Sequence, residues 1–161
     1  MGRYYNCDSG REGKFMFAVQ SSDDPGYLGM HEQDPAHITY YADRDDVEGI
    51  TEKLDEQYDF LGVDKKDRWY RLPTEKKGLN DYKKWDEWEE KVLHDKVWKT
   101  VRDEDMPEEE KGRVHWASNK LGCSDIELGE GKCLALARIR LALNILTDIE
   151  EYGCCNLEAE L

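Results

Sequence analysis

Long apolar runs are absent from this chain. Its most apolar stretch, LALARIRLALNIL over residues 134–146, carries two arginines and is too short to cross a bilayer. No apolar segment follows Met1-Gly2-Arg3-Tyr4-Tyr5, so no secretory leader is read there. Cysteine is sparse and unpatterned. Cys7, Cys123, Cys133, Cys154 and Cys155 are odd in number and lack the spacing of a disulfide framework. That points to reduced thiols and an intracellular, cytoplasmic setting. Bases are outnumbered, 23 against 37 acids, for a formal net charge of −14. A field of that sign repels nucleic-acid backbones and membrane surfaces and steers the molecule toward basic partners.

Catalytic and ligand-binding signatures are missing as well. Zinc sites usually bring close pairs such as C-x-x-C. Here nine residues separate Cys123 from Cys133, and His31, His37, His94 and His115 are scattered. The cysteines are read as buried and inert, with no metal and no cofactor. The stretch SSDDPGYLG (21–29) sets its acids side by side without the ligand ladder of a calcium loop. There is no G-x-S-x-G, no P-loop and no G-x-G-x-x-G; Gly129-Glu130-Gly131 is a lone G-x-G before an apolar helix. The run SNKLGCS (118–124) has the outline of a helix-turn-helix turn. Asp125, Glu127 and Glu130 in the helix that would read DNA favour an ordinary helix corner.

What is present is the composition of a folded domain. Five tryptophans, nine tyrosines and three phenylalanines exceed what disordered chains carry, and 161 residues suit a single domain over 1–161. The charge is blocked. Residues 21–61 net −10 and residues 86–110 net −7, and between them residues 62–85 net +4. That basic middle, KKDRWYRLPTEKKGLNDYKKW, interleaves cations with aromatics, a composition able to stack on single strands.

Periodicity predicts an α+β fold. Lys14–Gln20 reads as a strand buried on both faces, central in its sheet, with a loop of about fifteen residues after it and a second strand at His37–Tyr41. Asp45 or Asp46 caps a helix carrying Val47, Ile50, Leu54, Tyr58 and Leu61 and stopped by Gly62. A second helix starts at Asn80 or Asp81, and DMPEEE (105–110) opens a third that ends at Gly122. A fourth, from about Gly131 to Tyr152, is apolar but for a stripe of Arg140, Asn144, Asp148 and Glu151, and is read as the central helix. The ending CCNLEAEL alternates and reads as an edge strand pairing with the N-terminal sheet. The expected fold is a small antiparallel sheet, N-terminal strands plus the C-terminal one, packed on about four helices.

GKFMFAVQSSDD (13–24) and CNLEAEL (155–161) resemble uncharacterised small acidic proteins of phages and large DNA viruses. The resemblance covers the two ends of the chain. It implies a short α+β protein in a viral setting and carries over no activity and no site residues.

The leading expectation is a non-enzymatic interaction protein, an inhibitor or nucleic-acid mimic. Its acidic face (Asp45, Asp46, Glu48, Glu52, Asp86, Glu87 and Glu90) would dock on a basic partner surface, such as that of a nucleic-acid-handling protein. The rival is a small enzyme with its site in the loop after the first strand, lined by Gln20, Ser22, Asp23, Asp24, Tyr27 and His31. A third reading, direct nucleic-acid binding through residues 65–85, is disfavoured by the acidic flanks.

Overall fold

The computed structural model describes residues 4–10, 12–14, 22–34, 38–72, 83–93, 96 and 132–159. Five strands form one antiparallel sheet: β1 (Tyr4–Cys7), β2 (Glu12–Lys14), β3 (His31–Asp34), β4 (Thr39–Asp43) and β5 (Cys154–Ala159). Their order is β2-β1-β5-β4-β3. The helices are a single turn α1 (Asp24–Tyr27), α2 (Val47–Leu61), α3 (Lys83–Trp88) continued as a π turn through Leu93, and α4 (Lys132–Tyr152). The α+β expectation holds, with the N-terminal strands and the C-terminal strand in one sheet.

The centre of the sheet differs from expectation. It is β5, not the strand after Gly13 and not an edge. β5 pairs with β1 on one side (Cys7 opposite Leu157) and with β4 on the other (Tyr40 opposite Leu157). Its alternation survives in this setting because one face is covered: Cys155, Leu157 and Ala159 are buried, and Glu158 points to solvent. Of the expected strand at Lys14–Gln20 only Lys14 is described, as the end of β2; residues 15–20 lie outside the described set. The second strand starts two residues later than expected, at Thr39. The stretch expected as a long loop between them holds elements of its own, since residues 24–27 close a helical turn and residues 31–34 form β3.

α2 starts where its apolar pattern does, at Val47, and a 3₁₀ turn leads into it. Asp46 stands at the N-cap position of α2 as expected, but the side-chain capping belongs to the turn before it: the Asp43 carboxylate accepts the Asp45 N–H (2.9 Å), and Asp46 reaches back to the Asp43 N–H (2.9 Å). This reciprocal capping box sits on a 3₁₀ turn, Arg44–Asp46, that runs into the α-helix. The helix ends as expected. Gly62 takes a left-handed φ of 71°, and the Val63 N–H returns to the Tyr58 carbonyl (3.0 Å).

α4 is the core element. Ala135–Ala137, Ile139 and every residue from Leu141 to Ile149 are buried, because α4 lies between the sheet and α2. Its polar stripe is therefore mostly withdrawn from solvent, Glu151 alone of the four being exposed. Asn144 and Asp148 are buried, and Arg140 pairs with the buried Glu89 (2.6 Å) after α3. The expected helix over 105–122 lies outside the described residues, as does the start of the second helix at 80–82.

Candidate functional site

The acidic face is built by α2 itself. Ile50, Leu54, Tyr58 and Leu61 turn one side of the helix into the core. At 100° per residue this places Glu48, Glu52, Asp55, Glu56 and Asp59 together on the opposite side. With a 1.5 Å rise, the row is about 16 Å long. Glu48, Glu52, Glu56 and Asp59 are exposed and Asp55 is half-buried.

Arg68 braces the far end of that row. Its side chain is only 6% exposed and donates to Asp55 Oδ1 (3.0 Å), to Asp59 Oδ1 (2.6 Å) and to the Val63 carbonyl (3.0 Å from Nε). Burial opposes the guanidinium charge, but the Asp59 and Asp55 carboxylates outweigh it and its pKa is raised. Lys53 Nζ reaches Glu56 at 3.5 Å.

The other acids expected on the docking face are placed as follows. Asp45 is exposed beside the row. Asp46 is withdrawn from it, because its carboxylate takes the Asp43 N–H and lies 2.7 Å from His31 Nε2. Burial works to raise the Asp46 pKa, yet the Asp43 N–H and the His31 ring bring it below its ordinary value. Glu87 and Glu90 are exposed on α3 and the π turn, and the Asp86 side chain lies outside the described residues.

The expected loop site does not converge as one set. Asp24 is buried and pairs with Arg138 of α4 (3.2 Å), whose guanidinium also lies 3.7 Å from the centroid of the Tyr27 ring. Asp24 and Tyr27 thus share one cation. Ser22 contributes its backbone carbonyl to the Tyr40 hydroxyl (2.8 Å), and Asp23 stands exposed at the N-terminus of α1. His31 faces away toward Asp46. Gln20 lies outside the described residues.

The basic aromatic segment has internal work to do. Trp69 stacks on Trp88 (4.7 Å between centroids, 16° between planes), and Trp85 packs against both. Tyr58 donates its hydroxyl to the Trp69 carbonyl (2.7 Å) and accepts the Trp69 N–H (3.2 Å). A shallow groove of ≈ 460 Å³ is lined by Arg68, Trp69, Tyr70, Arg71 and Glu150. Both of its arginines are engaged, Arg71 with Glu150 at 2.8 Å.

One cluster has no trace in the sequence spacing. Cys7 on β1, Cys155 on β5 and Asp148 on α4 are all buried, and one ligand atom from each lies within 4.8 Å of the others. The two sulfurs are 3.9 Å apart, and Cys155 Sγ is 3.6 Å from Asp148 Oδ2. Ser9 Oγ donates to that same oxygen at 2.8 Å. The hydrogen bond with Cys7, burial and the Asp148 charge together push the Cys155 thiol far above its usual range. Cys154, on the other face of β5, is half-buried.

Comparison with family models, with curated proteins and with solved structures finds no match in any of the three. Among the described residues no helix is long and apolar enough to cross a membrane.

Proposed function

We propose that this protein is a non-enzymatic docking module whose α2 outer face engages a basic surface on a partner protein, acting as a nucleic-acid mimic. The observation that carries this reading is the row Glu48, Glu52, Asp55, Glu56, Asp59 on a helix whose opposite side is fixed in the core. Five carboxylates over about 16 Å place one acidic group per about 4 Å, close to the 3.4 Å per phosphate along a DNA strand, and the two cations Arg68 and Lys53 offset only part of that charge. The row is rigid, so little ordering entropy opposes docking. Phe60, 57% exposed at its C-terminal flank, offers an aromatic contact beside the charges. Partners of this kind are nucleic-acid-handling proteins, whose basic grooves are shaped for such a charge row.

The test is capture of basic proteins at low salt by the immobilised chain, with a duplex oligonucleotide as competitor. The chain is expected to hold proteins that salt and the oligonucleotide both release. Glu48→Gln/Glu52→Gln/Glu56→Gln should lose them, whereas Asp8→Asn/Glu32→Gln/Glu158→Gln, which removes the same charge elsewhere, should keep them. Equal capture by both triple variants, or capture indifferent to salt, sinks the proposal.

A further inference from the structure

The cluster at Cys7, Cys155 and Asp148 has the shape of a metal site. β1 and β5 are antiparallel neighbours with Cys7 opposite Leu157, so Cys155 lies two residues along β5 from Cys7's own partner. Cys7, Cys155 and Leu157 are all buried, and α4 crosses the sheet there to deliver Asp148. A tetrahedral zinc ion with sulfur at about 2.3 Å and oxygen at about 2.0 Å requires edges of about 3.8 Å (S to S) and about 3.5 Å (S to O). Two of the three observed separations, 3.9 Å and 3.6 Å, are close to these, and the third, Cys7 to Asp148, lies within 4.8 Å. The Ser9 hydroxyl, 2.8 Å from Asp148 Oδ2, fixes the carboxylate as an outer partner does around a metal ligand.

We infer that Cys7, Cys155 and Asp148 form a binding site for a thiophilic divalent cation, zinc being the reference ion. Two thiolates and one carboxylate select zinc over magnesium or calcium, which prefer all-oxygen cages. The ion takes the place of the proton that Cys155 shares with Asp148, and each thiol gives its proton to solvent as it ligates. Three protein atoms leave the fourth tetrahedral position to a solvent molecule. The site joins β1, β5 and α4, and so ties together parts of the chain 148 residues apart. Its role is a clamp on the sheet, formed as the chain folds.

The experiment uses the full chain, fully reduced and oxygen-free, with Cys123, Cys133 and Cys154 replaced by serine. Titration with cobalt(II) should give one equivalent of a tetrahedral complex with a thiolate-to-cobalt band in the near ultraviolet, bleached by one equivalent of zinc. Adding Cys7→Ser or Cys155→Ser should abolish the band, and adding Asp148→Asn should weaken binding at least tenfold. A folded background variant without the band, or a band that survives Cys7→Ser or Cys155→Ser, overturns the site. If the background variant does not fold, alkylation of the wild-type chain decides. Zinc should slow modification of Cys7 and Cys155 alone, and protection of other cysteines, or of none, overturns the inference.

Discussion

At the residue scale the most consequential side chain is Arg138. It neutralises the buried Asp24, 114 residues away in sequence, and stacks on Tyr27, so it fixes α1 to the central helix. Asp24 is 3% exposed and Arg138 19%, so the pair is well shielded from solvent. Removing the cation leaves a buried carboxylate short of a partner, and Arg138→Ala should cost about 3 kcal/mol in urea unfolding. Arg71→Ala, which breaks an ion pair whose side chains are 44% and 55% exposed, should cost under about 1 kcal/mol. Equal costs would mean that the Asp24 pair is not buried as described. The sequence shows Asp23 and Asp24 as adjacent loop acids, and nothing local says that one faces solvent and the other a guanidinium on the last helix. Cys7 and Cys155 pose the same problem. Their contact follows from strand pairing between the two ends of the chain, which residue spacing does not encode.

At the scale of elements, α2 carries two checks on its own construction. Its capping box depends on Asp46, whose pKa is lowered from the ordinary 3.8. A carboxylate with a depressed folded pKa contributes stability that is present above its unfolded value and is lost as pH falls through the folded one. The stability gap between wild type and Asp46→Asn should therefore be open above about pH 4 and close below it. Chemical unfolding across pH 2–6, a range chosen around that value, checks this; a gap independent of pH would remove Asp46 from the cap. Gly49 is the second check. It is an exposed helical residue with nothing within 4 Å of an added Cβ, so Gly49→Ala should raise stability by about 0.5–1 kcal/mol. These elements also mark what periodicity can and cannot tell. The three- and four-residue steps of Val47 to Leu61 fixed α2 and its Gly62 stop, and the apolar density of residues 132–152 placed α4 at the centre. Alternation in CCNLEA likewise found β5, but a period of two reports one covered face and says nothing of how many neighbours a strand has. That is why the central strand read as an edge.

The whole molecule holds a net charge of −14, and the acids along the outer face of α2 are not all placed where folding would want them. Glu48 suits the first turn of α2, but no base stands in the last turn, where Asp59 opposes the helix dipole until Arg68 arrives from outside the helix. Glu48, Glu52 and Glu56 are like charges at successive four-residue steps, each pair unfavourable by about 0.2–0.5 kcal/mol in a helix. A row kept only for solubility could be spread over the surface without that cost. Glu52 is the middle member of both pairs, so Glu52→Gln should raise stability by about 0.5 kcal/mol at low ionic strength. The gain should fade as added salt shortens the Debye length toward about 3 Å at 1 M. The same substitution should weaken capture of basic proteins, opening a gap between folding and binding that one charge controls. A variant both more stable and equally able to bind would show that the acids of α2 keep the protein dissolved and nothing more.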